Sequence, residues 1–210
     1  MTVCIAALCQ NEDQAHIVVV ADRMVTLGGF IEFEHAVPKM KEASSLAIAM
    51  VSGDALVGTR IAEEVATALA ESNPPIAQIA AALAACYENA RQKSVEQRIL
   101  RPRCLDMNSF YGSHQALNPN IVMMLDNQMA EFNLGVELLL AGLDSSGAHI
   151  YSIVNPGPPE SLLDGRDRPM EPPPGKARFL VTPLCVRGTA PAALSHGDGR
   201  TGGTKPRRER

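Results

Sequence analysis

Apolar residues fall along this chain in two rhythms, short unbroken runs and a longer helical beat. Every residue from Val3 to Cys9 is apolar, and after a polar turn at 10–14 a second run at 16–21 is dense in β-branched side chains. Unbroken runs of this length predict strands covered on both faces, here forming a central hairpin. After 22–26 and a Gly28-Gly29 break, residues 30–35 alternate apolar and polar as a half-exposed strand does. Residues 46–51 predict another buried strand, ending in the turn Ser52-Gly53-Asp54.

The helical beat takes over at Ala55. Leu56, Ile61, Val65 and Leu69 recur near helical spacing up to residue 71. Asn73-Pro74-Pro75 breaks that helix, because proline lacks an N–H and fits only the opening of the next one. An Ala-rich helix is predicted over 76–99, with Ile76, Ile79, Ala80, Leu83 and Tyr87 on one stripe, and a third from Asn118-Pro119 to Phe132. Two strands, 136–143 and 148–154, flank the short turn 144–147. Strands, then helices, then strands is not the alternation of a doubly wound parallel sheet, so the fold class is α+β.

Charge divides the chain. Residues 1–164 carry net −10 and residues 165–210 net +6, for −4 over all 210 residues. The second part is also rich in proline and glycine, with Pro172-Pro173-Pro174 and Arg207-Arg-Glu-Arg210. Such a stretch buries too little apolar surface to offset its ordering entropy, so the domain is placed at 1–164 and the tail at 165–210 is expected to lack regular structure. Residues 179–181 are the one segment there suited to an edge strand. With Phe179 as its lone aromatic, the basic tail is a poor binder of nucleic acid.

No run approaches a membrane span, no basic lead-in precedes the first apolar run, and five cysteines lack C-x-x-C spacing. These features point to a cytoplasmic protein without disulfides or a structural zinc site. His16, His35, His114 and His149 are scattered without metal-ligand spacing, and no cofactor is expected. Cys4 and Cys9 lie on opposite faces of one strand and read as core, and Met123, Met124 and Met129 as helix core or subunit interface. Gly28-Gly29 lacks the strand–turn–helix setting of a phosphate loop.

One nucleophile candidate sits at the start. Thr2 follows the initiator Met1, which is generally trimmed before so small a residue. A first-residue threonine carries a hydroxyl beside its own amine, whose pKa of roughly 7.7–8.0 leaves a neutral fraction able to act as base.

The surrounding motifs resemble proteasome β-subunits and their bacterial ATP-dependent protease relatives, which are N-terminal nucleophile hydrolases. They are Thr2 opening an apolar hairpin, Ala21-Asp-Arg-Met-Val-Thr26, Pro38-Lys-Met40, Ser52-Gly-Asp-Ala55, Leu139-Leu-Ala-Gly-Leu-Asp144 and Ala148-His-Ile-Tyr-Ser-Ile-Val-Asn-Pro-Gly157. The likeness covers residues 2–157 and is strongest to the prokaryotic proteasome-like branch. It implies a four-layer αββα sandwich of antiparallel sheets flanked by helices. It also implies a threonine peptidase in which Thr2 attacks, Asp22 orients Lys39, Lys39 favours the deprotonated hydroxyl, and the Gly53 backbone N–H helps hold the oxyanion. The implied partners are a peptide or unfolded protein, further copies in a ring, and an ATP-dependent unfoldase.

Beyond Gly157 the chain departs from that pattern. The family's glycine–serine–glycine turn, later helix and supporting serine and Asp–Ser pair have no counterpart; Ser195 and Asp198 lack matching surroundings. Residues 165–210 have the composition of an out-of-frame reading of a GC-rich gene. The sandwich is therefore expected to be incomplete at its C-terminal end, and the alternative function is a catalytically inactive assembly protein.

Overall fold

The computed structural model of the chain describes residues 2–11, 14–27, 31–34, 39–70, 72–113, 115–163 and 178–186. The first two apolar runs form the expected hairpin. Strand β1 (Thr2–Asn11) and strand β2 (Gln14–Ala21) are antiparallel, with Cys4 opposite Ala21 and Asn11 opposite Gln14. A two-stranded ribbon follows, β3 (Met24–Leu27) paired with β4 (Ile31–Glu34).

A second sheet is built from β5 (Met40–Ser44), β6 (Ala47–Gly53), β7 (Val136–Asp144), β8 (Gly147–Ile153) and β9 (Pro159–Ser161), all antiparallel and in that order. Its central strands are covered on both faces, which explains their unbroken apolar runs. Ala47, Ala49, Val51, Val136, Leu138 and Leu140 face helices on one side. Met50, Leu139, Ala141 and Ile150 face Cys4 and Ala6 of β1 on the other. Leu138, Leu139 and Leu140 are fully buried, each worth roughly 1.5–3 kcal/mol of transfer free energy.

Helix α1 (Ala55–Leu69) starts where Asp54 caps it, its Oδ1 accepting from the N–H groups of Leu56 and Val57 at 3.1 Å each. Helix α2 (Ile76–Val95) follows Pro75, which offers no side-chain cap. The cap comes from afar: Asp144 Oδ2 accepts the Ile76 N–H at 2.9 Å. The expected single helix over 76–99 is corrected at its end. After Val95 the chain makes one wider turn, Glu96–Leu100, and one tight turn, Arg101–Arg103, before Cys104 takes a left-handed φ of 57°. A short helix the periodicity had not marked, α3 (Met107–Ser113), and the expected α4 (Pro119–Glu131) close a satellite core around Leu100, Phe110 and Leu125.

Two further expectations are corrected. The β1–β2 hairpin was predicted to be covered on both faces, yet Val18 and Val20 are 49 % and 54 % exposed. α1 and α2 pack against the five-stranded sheet, so the described residues form three layers: sheet, sheet, helices. The tail at 165–210 is expected to lack regular structure, with 179–181 its one candidate edge strand, yet a longer strand forms there: β10 (Arg178–Val186) pairs antiparallel with β1 over nine positions, from Thr2 opposite Val186 to Gln10 opposite Arg178. A β-branched, apolar segment there supplies partners for an otherwise bare strand edge, and an edge strand tolerates Pro183. The rest of 165–210 lies outside the described residues, as do Gly28-Gly29, His35, His114, Ser195 and Asp198. Among the described residues no helix is long and apolar enough to cross a membrane.

The helical layer is tied to α4 by one guanidinium. Arg91 of α2 donates to the carbonyls of Met129 (2.9 Å), Ala130 (3.3 Å) and Phe132 (3.2 Å) and to Asn155 Oδ1 (3.1 Å). Arg91→Ala leaves these acceptors without their donor and is expected to lower the unfolding free energy by about 2–4 kcal/mol. Arg91→Lys should recover less than half of that, because an ammonium lacks the planar fork. Urea unfolding of the two variants measures both effects.

Candidate functional site

Asp22 leaves the end of β2 and folds back on β1. Its N–H donates to the Val3 carbonyl (3.1 Å), and the Val3 N–H donates to Asp22 Oδ2 (3.0 Å). The carboxylate thus takes the place of one more ladder residue beside Thr2. Its other oxygen, Oδ1, accepts from Lys39 Nζ in an ion pair.

Lys39 lies just ahead of β5 and is buried. Its carbonyl accepts from the Val51 N–H at 2.9 Å, which fastens it to β6. A lysine withdrawn this far from water is tolerated only when its charge is matched, and Asp22 matches it. Cys4 closes the loop of contacts, its Sγ–H donating to the Val51 carbonyl at 3.7 Å. The start of β1, the end of β2, the entry to β5 and the end of β6 therefore meet at one end of the inter-sheet layer.

Burial foremost pushes the Cys4 thiol up to about 11; nearby Lys39 opposes that rise and Asp22 adds to it. A thiol held neutral is a poor nucleophile, so Cys4 is core here.

Gly53 ends β6 opposite Val136 with φ of +86°. A Cβ there would stand 2.0 Å from the Gly135 carbonyl oxygen, so the close approach of two backbones requires glycine whatever else the residue does. The next N–H, of Asp54, donates to that same Gly135 oxygen at 2.7 Å and sets the start of α1.

Of the four residues singled out from sequence, Asp22 and Lys39 are in contact, and Gly53 stands two residues beyond Val51 on the strand that holds Lys39. Thr2 opens β1 beside Val3; its side chain lies outside the described residues.

Ser52 was missed. Its Ser-Gly-Asp context reads as a turn, but the structure keeps it in β6, where it is 1 % exposed and its Oγ makes no hydrogen bond. Only the strand parity with Ile48 and Met50 could have flagged it. Across the strand stands Glu137, whose carboxyl burial raises above its usual value.

A second polar cluster occupies the β7–β8 turn. Asp144 Oδ1 accepts from the Ser146 N–H (2.8 Å) and Oγ–H (2.5 Å), and His149 Nε2 lies 2.8 Å from Ser146 Oγ and 3.2 Å from Asp144 Oδ1. One imidazole nitrogen meets both partners, so this is not a relay in which the two ring nitrogens do different work. These bonds, with that from Ile76, hold the Asp144 carboxyl well below the usual range and fit it to cap α2. Among the described residues no three His, Cys, Asp or Glu side chains converge as a metal site would need.

No protein-family model and no curated protein sequence matches the chain.

Two outcomes follow from this geometry. Gly53→Ala should destabilise the fold by about 2–3 kcal/mol or more in thermal or urea unfolding, since strain and backbone overlap add. The raised Cys4 pKa makes the folded state hold its proton after the unfolded chain has lost it. Stability from this group is therefore complete below pH 9 and falls as pH rises from 9 toward 11. Urea titrations across that window should show the fall, with a shallower slope in Cys4→Ala.

Proposed function

We propose that this chain is a threonine hydrolase of the proteasome type, cleaving peptide bonds with Thr2 after removal of Met1. The observation that carries the reading is the clasp of Val3, Asp22 and Lys39 at the residue following Thr2. An ammonium buried at the end of the layer where β1 begins is the group an alkoxide-forming hydroxyl requires. The resemblance in the order of Thr2, Asp22, Lys39 and Gly53 supports the same assignment.

In this reading the Thr2 hydroxyl oxygen attacks the carbonyl carbon of the substrate and its proton passes to the Thr2 amine. Lys39 lowers the energy of the developing alkoxide, and Asp22 keeps the ammonium in place. Negative charge on the carbonyl oxygen is met by the backbone N–H of Gly53. The C–N bond then breaks, the leaving amine takes the proton, and water hydrolyses the ester. The same reading makes the two sheets and α1–α2 three layers of an αββα sandwich. It brings with it a cytoplasmic setting, a ring of identical subunits and an ATP-dependent unfoldase as partner.

The test is covalent labelling. Intact-mass analysis should show loss of Met1, and a β-lactone probe should modify Thr2 and nothing else. Thr2→Ala should abolish labelling and peptidase activity, and Lys39→Ala should slow labelling by about two to three orders of magnitude. Peptidase signal equal in wild type and Thr2→Ala would overturn the assignment. A correctly trimmed chain that forms oligomers yet takes no label would establish the non-catalytic assembly role instead.

A further inference from the structure

We propose that the Ser52 hydroxyl positions the α-amine of Thr2 by accepting a hydrogen bond from it once Met1 is removed; this rests on Thr2 being the nucleophile. A buried hydroxyl without a partner forfeits the hydrogen bonds it would make to water, so a native chain that keeps one calls for an explanation. Ser52 is such a residue, with 1 % exposure and no hydrogen bond at Oγ.

Its position narrows what the partner is. Along β6, Ala47, Ala49 and Val51 face the helices, while Ile48 and Met50 face the three-stranded sheet. Ser52 shares the parity of the second set and so belongs to the inter-sheet layer. Cys4 of β1 bonds the Val51 carbonyl, and the path Val3–Asp22–Lys39–Val51 returns to the same residue. Both links bring the beginning of β1 to the residue that precedes Ser52.

The titratable groups that neighbouring elements bring to this end are Asp22 after β2, Lys39 before β5, Cys4 on β1 and Glu137 across on β7. Ser52 Oγ bonds none of them. Removal of Met1 changes one group here. The Thr2 nitrogen ceases to be a peptide amide with a single N–H and becomes an amine with more donors than the strand used. In this proposal the unclaimed acceptor at the end of the layer where β1 begins takes one of those donors and orients the amine, and orientation decides whether its lone pair meets the Thr2 hydroxyl.

The experiment compares two forms of the chain, each with and without Ser52→Ala. One form comes from a fusion cleaved to leave Thr2 first, and the other keeps an uncleaved extension before Thr2. In the extended form Ser52→Ala should leave the melting temperature unchanged or raise it, because it removes a hydroxyl with no partner. In the cleaved form it should lower the melting temperature. There the labelling rate should fall about three- to tenfold, the size of one neutral-acceptor hydrogen bond, and its pH midpoint should move about half a unit lower, because an accepted bond favours the charged amine. Ser52→Cys, close in size but a weak acceptor, should fall between. Equal thermal effects in the two forms together with an unmoved pH midpoint would overturn the proposal. If the cleaved wild type takes no label but the thermal difference remains, the Ser52–amine bond stands and the nucleophile assignment falls. Normal labelling with no thermal difference gives the reverse.

Discussion

Taking an ammonium out of water is among the more expensive things a fold does, and the effective penalty runs to several kcal/mol unless an opposite charge meets it. Lys39 and Asp22 meet that condition across the two sheets: Asp22 hangs from the end of β2, and Lys39 is fastened to β6. The pair is thus a polar rivet through one end of the layer that holds the apolar side chains of Cys4, Ala6, Met50, Leu139, Ala141 and Ile150. Dispersion and burial favour contact between the sheets but tolerate sliding. The ion pair has one geometry, and Asp22 passes it on to the Val3 N–H. Where β1 begins relative to β6 follows from that chain of bonds.

Much of this was legible from pattern. The β1–β2 hairpin, β6, the β7–β8 hairpin and three helices announce themselves through long apolar runs or clear helical spacing. What escaped was short or locally ambiguous. β5 is five residues with a lysine and a glutamate, β9 is three residues with a proline, and α3 is two turns. None is long enough for a period to stand out, and each exists because a neighbour pairs or packs against it. β10 was legible only in part. Residues 179–181 stand out as a candidate edge strand, but they sit inside a basic, proline-rich stretch, and averaging over that composition buried the signal of all nine residues.

The site was legible only in part, for a physical reason. No spacing rule brings Asp22 to Lys39; they are joined by tertiary packing, and only the order of motifs along the chain singled them out. Gly53 carried a signal open to two readings, and the backbone resolves one of them, since Gly135 stands too near for any side chain. Ser52 was invisible because a serine beside a glycine reads as a turn, and the information that keeps it in a strand belongs to β7, where Glu137 stands opposite. The exposed outer face of β2 failed in the opposite direction. An unbroken apolar run states that a strand is able to be covered twice and leaves open which residues do the covering.

Asp144 has a consequence for the order in which the molecule assembles. Proline at the head of α2 leaves its first turn without a local cap, and the acceptor that completes it lies 68 residues onward in the next hairpin. An α2 segment made before β7 and β8 exist must fray at its first turn, and it becomes a finished helix only when chain closure over that distance has been achieved. Helix completion and sheet closure are then one event rather than two. The fold acquires through a single carboxylate the non-local, all-or-none character that its sheet topology alone would impose more loosely.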